Sequence, residues 1–430
     1  MRAVSELQDD GVLLVEDGNH GEYRPRGDEF GDGEYSFIRA ADMDSGRVLF
    51  ESAERINDRA MERIRKGVGQ GGDVLFSHKG TVGKLALAPL DSPPFVCSPQ
   101  TTFWRSLDQE RLDRRYLYCF MRSRAFTDQW MARSNETDMA AYVSLTAQRQ
   151  LNVAMPAIDD QRSIADVLGA LDDKIEQNRR TAQALERLAR AIFRAWFVDF
   201  EPVKAKAVGA IGFSSMPKSV FDALPARFVD SDIGPVPEGW EVKSLSKIAT
   251  FLNGFALQKY PPRDDGKDLR VVKIAELRKG STDGAHFANG DVPAQYVIDD
   301  RDLLFSWSGT LEAEFWFGGK GALNQHLFKV TSPNFPSWFC LLWIRQHLPW
   351  FRAIAASKAT TMGHIKRGHL QEAQVVAPPA AVVREADQVL GPLYDLHAQL
   401  MIESRELTAV RDYLLPKLMS GVVRVEAAHG

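Results

Sequence analysis

The stretch 164–200, IADVLGALDDKIEQNRRTAQALERLARAIFRAWFVDF, limits what this chain can fold into more than any other. Numbered as a heptad from Ile164, its a positions are Ile164, Leu171, Asn178, Leu185 and Ile192, and its d positions are Leu168, Ile175, Ala182, Ala189 and Trp196. Nine of these ten are apolar, and no proline interrupts them. Such a seam predicts a long helix that lays its apolar stripe against a second helix. Acids and bases fill the positions between, as a solvated outer face requires. At about 1.5 Å per residue the helix would run roughly 50 Å. Asn178, polar at an a position, is expected to set register. The aromatic cluster Phe193, Trp196, Phe197 and Phe200 reads as core or as a surface for a partner.

An internal repeat supplies the partner. The residues DVLFSHKGT at 73–81 match DLLFSWSGT at 302–310 in six of nine positions, at an offset of 229. Gln100 falls opposite Gln325, the aromatic-aliphatic run 114–121 resembles 337–344, and VAMP at 153–156 falls opposite VVAP at 375–378. VLGAL at 167–171 then matches VLGPL at 389–393, at an offset of 222. A shrinking offset with preserved order is what small loop deletions leave in a duplicated unit. The second copy carries its own seam. Ala386, Leu393, Leu400, Leu407 and Leu414 stand seven apart, with Val389, Leu396 and Val410 as companions. Two matched seams in one chain pair most simply with each other. The stretch 201–238, with prolines at 202, 217, 225, 235 and 237, has linker composition and is long enough to let the helices run antiparallel.

The expected architecture is α+β: two pseudo-symmetric globular units, separated by an antiparallel coiled coil of two long helices. The boundaries fall at 1–158 for the first unit, 159–200 for the first helix and 201–238 for the linker. The second unit takes 239–381 and the second helix 382–422. In the first unit 48–50, 74–77, 85–88 and 101–104 read as strands, and 114–132 as an aromatic-rich helix.

Composition narrows the class. Hydrophobic residues at 44% and charged residues at 26% are ordinary for a soluble globular chain. Cys97, Cys119 and Cys340 form no C-x-x-C pair, so neither a disulfide framework nor a zinc knuckle is expected, and no metal site is assigned. The start lacks the basic-then-apolar plan of a signal peptide, and no run approaches 18 apolar residues. A cytoplasmic protein without a membrane span is the expectation. The net charge of −4 leaves nucleic acid open, because local basic faces decide.

Several segments together resemble one known family. They are VSELQDDGVLLVEDGNHGEYRPRGDEF, FIRAADM and GGDVLFSHKGTVGKLALAP in the first unit, and the helix from PAIDDQRSIADVLGALDDKI to FRAWFVDFEPV. DIGPVPEGWEVKSLSKIA and LLPKLMSGVVRV follow. These are similar to DNA-specificity (S) subunits of type I restriction-modification enzymes. One departure is visible: Asp160-Gln161 precedes the first helix, whereas the second copy has Val383-Arg384. The resemblance implies two target recognition domains, each followed by a helical region, and an antiparallel coil between the helices. It implies a non-catalytic subunit reading a bipartite double-stranded DNA site, one half-site per domain, with the coil fixing their separation. It further implies two modification (methyltransferase) subunits using S-adenosylmethionine and restriction (motor-nuclease) subunits using ATP and Mg. No cofactor is then expected in this chain.

For such a chain the repeat nominates contacts. Ser77, Thr81, Ser306 and Thr310 can donate to phosphate. His78 and Lys79, against Trp307 and Ser308, are what two domains reading different half-sites would vary. The shared Asp73, Phe76 and Gly80 read equally well as a tight turn. Arg39 and Lys273 end matching strand-like runs and can reach phosphate, an exposed salt bridge being the plainer role. Asn324, Gln325 and His326, with His364, Lys366 and Arg367, combine amide, imidazole and basic groups suited to base edges. Gln100 is the first-unit counterpart of Gln325, and Tyr142 lies near that of His364. In the coil, Ile164, Leu168, Leu171, Ile175, Leu185 and Ile192 are expected to meet Leu393, Leu400, Leu407 and Leu414.

Two other readings fit parts of the chain. Ser92-Pro-Pro-Phe95 fits the short pattern of amino methyltransferases, which would make this a DNA adenine methyltransferase. No F-x-G-x-G loop accompanies it, and the repeat has FWFGG at 315–319 in that place. GTVGK at 80–84 fails the spacing of a phosphate loop, with His78 where glycine is needed and Leu85 after Lys84. A coiled-coil scaffold that binds other proteins is separated from DNA binding only by the family resemblance.

Overall fold

The computed structural model describes residues 1–134, 141–214, 216–357 and 363–425. Their contacts sort into two units: Met1–Asp173 with the segment from Thr408 onward, and Lys174–Leu407. Helices Ile158–Phe193 and Ala380–Met419 each contribute to both.

One plan builds both units. In the first, an antiparallel sheet runs in the order Leu13–Asp17, Thr101–Ser106, Val74–Ser77, Leu85–Leu87. A second sheet runs Arg55–Ile56, Phe30–Ile38, Phe95–Cys97, Val68–Gly69, and its middle pair is parallel. In the second unit the same order recurs as Thr250–Asn253, Leu327–Thr331, Leu303–Ser306, Ala313–Phe315. Its second sheet is Phe287–Ala288, Leu269–Val272, Gly321–Leu323, Val297–Ile298, again with the middle pair parallel.

The repeated strand sits between two cores, which is why its apolar residues run unbroken. Val74 and Phe76 pack toward the helices, with Tyr116, Phe120 and Phe126, while Leu75 faces the second sheet, with Ile38, Phe95 and Phe103. Leu303 and Phe305 against Leu304 repeat this division. The Phe95 of the S-P-P-F motif is 1% exposed and belongs to that inter-sheet core.

The aromatic-rich run 114–132 is two helices rather than one, Arg114–Met121 and Arg124–Ser134. Ser123 breaks it by accepting the backbone N–H of Phe126 with its hydroxyl, as an N-cap does. In the second unit Gln346 takes that place and Ser337–Ser357 continues as one helix.

The seam forms, with partner numbers falling as those of the first helix rise. In the first unit Leu168 and Leu418 are buried with Cys119, and Ile164, Leu414 and Leu415 pack on them. In the second, Asn178 Nδ2 donates to Glu403 Oε2 at 2.7 Å, and Ala182, Ala189, Leu390 and Ala398 are buried. Leu171, Ile175, Leu185, Ile192, Leu393, Leu400 and Leu407 are half-buried. Leu396 and Val410, expected as seam companions, are instead 42% and 47% exposed.

The stretch 201–238 is not a linker. It folds as helices Glu201–Ala207 and Lys218–Asp222 and a hairpin pairing Phe228–Val229 with Val236–Pro237. Val203, Val220, Phe221 and Val236 join Phe197 and Trp240 in the main core of the second unit. Two of its five prolines start helices: Pro202 opens the first and Pro217 caps the second. The chain turns into this segment through a π-helical turn, Arg194–Val198, and Phe200 at φ 54°. Phe193, Trp196 and Phe197 are at most 2% exposed and are core.

An arginine at repeat-equivalent positions joins each helix seam to the sheets' helical layer. Arg122 Nη1 donates to Asp172 Oδ2 at 2.7 Å, and Arg411 Nη1 to Asp172 Oδ1 at 2.9 Å. In the second unit Arg345 instead takes two carboxylates, Glu186 and Glu314. Burial raises the Glu314 carboxyl above its ordinary value, with Arg345 opposing it. Burial also works to raise Glu186, but Arg345 and Arg190 overcome it and hold it low.

Candidate nucleic-acid interface

The repeated strand ends in a hairpin whose shared residues are occupied by the turn itself. Asp73 Oδ2 accepts the N–H of Gln70 and Asp302 Oδ2 that of Asp299, each at 2.8 Å. Ser77 Oγ accepts the N–H of Lys84 at 2.8 Å, and Ser306 Oγ that of Glu312 at 2.7 Å. Both serines are 0% exposed, so they pin the hairpin and cannot donate to phosphate from where they stand. Gly80 and Gly309 take the left-handed conformation at φ 79° and 63°. Thr81 and Thr310, beside them, are exposed.

The differing positions are anchored as well. His78 is 1% exposed. Its Nδ1 donates to Val143 O at 3.1 Å. Its Nε2 lies 3.1 Å from Asp17 Oδ1, without the alignment of a hydrogen bond. At the equivalent place Trp307 Nε1 donates to Asn253 Oδ1 at 2.8 Å. In both units a ring thus meets the last side chain of the first sheet's edge strand. A second ring packs on each: Tyr142 on His78 at 5.4 Å and His364 on Trp307 at 6.4 Å. Backbone bridges Lys79 to Tyr142 and Ser308 to His364 place those rings, so the correspondence of Tyr142 with His364 is geometric. Ser308 is 3% exposed, with its hydroxyl 3.0 Å from His326 Nδ1. His78 and Ser308 therefore cannot read bases without rearrangement.

The pairing of Gln100 with Gln325 shifts by one. His78 N donates to Gln100 O and Trp307 N to His326 O, so Gln100 corresponds to His326. Asn324 is 7% exposed and its Oδ1 accepts the N–H of His326, so it serves the backbone of that turn. Arg39 and Lys273 both follow a strand of the parallel pair, and both backbone N–H groups donate to an acid three residues on, Asp42 and Glu276. Arg39 also pairs with Glu54 and lies over Phe30, the plainer role. Lys273, half-buried, forms no ion pair among the described residues.

What each unit still offers is a hairpin tip with its neighbours. In the first, Lys79, Thr81 and Gln100 are exposed beside the half-buried Tyr142, with the Lys79 ammonium 5.8 Å from that ring. In the second, Thr310, Lys366 and Arg367 are exposed beside Gln325, His326 and His364. Arg367 lies 6.0 Å over Phe328.

Sequence reasoning missed a further pair. Gly18 and Gly254 end the edge strands, where a Cβ would come within 1.8 Å of Ser98 O and 2.1 Å of Asn324 O. The next residues, Asn19 and Phe255, donate their N–H to Cys97 O and Leu323 O, which are equivalent. Only the glycine is shared, and a lone glycine after a strand was the available signal.

Residues 19–187 match the family model described as the type I restriction modification DNA specificity domain. The chain is 23% identical over 414 residues to the type I restriction enzyme MjaIX specificity subunit of Methanocaldococcus jannaschii, covering 93% of this chain and 89% of that protein. It is 22% identical over 436 residues to the HindI specificity subunit of Haemophilus influenzae, covering 90% and 94%. Among solved structures it resembles the type I restriction-modification S subunit of M. genitalium, with 14% identity, a TM-score of 0.54, and 97% and 95% of the two chains covered.

Proposed function

We propose that the chain is a type I restriction-modification DNA specificity subunit, a reading its similarity to such subunits supports, and that it reads a bipartite duplex site, one half-site per recognition unit. The observation that carries this reading is one fold built twice with different side chains at equivalent places around the hairpin: Lys79 and Gln100 against Ser308 and His326, Asn19 against Phe255. Exposed Lys79 at the first hairpin tip, and Lys366 and Arg367 beside the second, suit phosphate contact.

In this reading the chain is non-catalytic, and methyltransferase and restriction subunits assemble with it. Two modification subunits would use S-adenosylmethionine, and motor-nuclease subunits ATP and Mg; this chain would itself need no cofactor. The paired helices set the half-site spacing. Removing one heptad from each helix should shorten the spacer by about 3 base pairs.

The direct test maps methylated adenines in the host genome with and without the gene. A two-part motif that vanishes with the gene is the expected result. Methyl transfer from labelled S-adenosylmethionine to duplex DNA by the purified chain alone would overturn the non-catalytic reading.

A further inference from the structure

The first unit has a cleft where the second has a filled aromatic stack. Phe255 stacks on Tyr296, with ring centroids 5.0 Å apart and planes at 28°, and Tyr260 packs at 5.8 Å. The strand registers assign their counterparts. Asn19 stands for Phe255, because both donate to the last carbonyl of the central strand. Gly67 stands for Tyr296, because Val68 pairs with Val96 as Val297 pairs with Ala322. With neither large ring present, a cleft of about 460 Å³ opens, lined by Asn19, His20, Glu22, Tyr23, Arg65 and Lys66.

Two features of that cleft point to a nucleotide. The first is chemical demand. Asn19 is 0% exposed and its Oδ1 has no hydrogen-bond partner among the described residues, while its Nδ2 is directed to Lys66 O at 3.5 Å. An enclosed amide oxygen without a donor is costly unless something supplies one. The second is charge. Arg65 and Lys66 are exposed, and neither forms an ion pair among the described residues. Two places before Tyr296 and one before it, the second unit has Ala294 and Gln295 instead.

We propose that this cleft is a specificity-determining subsite for DNA, in which Arg65 and Lys66 hold phosphates and the cleft wall parts on binding, so that the now-buried Asn19 Oδ1 accepts from the amino group of an adenine or cytosine. It deepens the function proposed above and rests on it. The second unit, with its place filled by Phe255 and Tyr296, has no equivalent subsite, so the contact serves one half-site only.

The test uses the whole chain with its modification subunits, reading methylated motifs and duplex affinity against salt. Asn19→Ala should cut discrimination at one base of one half-site by roughly tenfold and leave the other half-site intact. Arg65→Gln with Lys66→Gln, both at exposed positions, should weaken binding to all duplexes and lower the salt slope by about 1 per residue. If the double variant keeps the wild-type slope and Asn19→Ala keeps both half-sites, the subsite is refuted while the functional reading stands. If the wild-type complex shows no bipartite motif, the functional reading fails and takes this proposal with it. An Asn19→Ala protein that fails to fold leaves the decision to the double variant.

Discussion

The two units share strand order, parallel pair, hairpin and ring anchor, yet they stabilise themselves differently. The first closes its seam with a carboxylate between two guanidinium groups, Arg122 and Arg411 about Asp172. The second reverses the charges, setting Arg345 between Glu186 and Glu314. The second also recruits 201–238 into its core. A duplicated fold thus preserves its backbone geometry while the side chains that lock it diverge. What is common marks the frame, and what differs marks either local repair or function.

The largest expected difference lies in 201–238. Phe221 is 1% exposed in the core of the second unit, so Phe221→Ala should cost about 3–5 kcal/mol in urea-induced unfolding. Val208→Ser, at a position 86% exposed, should change stability by less than about 0.5 kcal/mol. Equal effects would return the segment to a tether.

The charge reversal comes next. Arg345 keeps only 11% of its side chain exposed, and Arg345→Met leaves two carboxylates facing each other. We expect a loss of roughly 3 kcal/mol, at the low end for a broken buried pair because Glu314 is 45% exposed. Arg122→Met leaves Asp172 with Arg411 and should cost less, about 1–2 kcal/mol. Matched unfolding curves would erase the distinction drawn between the two clusters.

Acid should separate the units by pH. Burial lowers His347 and His397 below the ordinary histidine value, so the folded second unit favours their neutral forms. The unfolded chain then takes up more protons as pH drops below about 6.5, and stability declines from there. In the first unit the Arg63 guanidinium, with the Arg26 N–H, holds Glu29 down at about 2. Its contribution is complete above the unfolded value of 4.5 and is lost as pH falls toward 2. Amide exchange followed unit by unit should therefore show the second loosening first. His397→Phe, against the ring of Phe317 at 5.5 Å, should flatten its response between pH 6.5 and 5. Simultaneous loosening of both units near pH 4 would contradict this.

The smallest effects belong to the hairpin tips. Lys79→Gln and Lys366→Gln should leave unfolding unchanged within about 0.5 kcal/mol. Each should lower the salt slope of DNA binding by about 1 if it neutralises a phosphate. An unchanged slope for both would move the DNA contact elsewhere on the units.

The duplication was readable because Asp73, Phe76, Ser77 and Gly80 each do a local backbone or packing job that their counterparts must repeat. The same fact misled the choice of contacts: a serine kept in both copies was kept for the turn, not for phosphate. The subsite at Asn19 was hidden for the opposite reason, since its residues differ between copies and only Gly18 and Gly254 align. Proline made 201–238 look unstructured, although Pro202 and Pro217 begin helices there. Leu396 and Val410 fit the heptad by count, but the stripe that is covered follows Leu393, Leu400, Leu407 and Leu414 and leaves them outward.

The first unit is assembled from two distant pieces of chain, since Leu168 is buried against Leu418 and Asp172 meets Arg411. On a ribosome these contacts lie far apart in time. Residues 174–407 must all be polymerised before the first unit receives its closing segment, whereas the second is a single continuous stretch. The half made first is therefore the half finished last, and throughout that interval Leu168 and Cys119 lack the cover that Leu418 gives them.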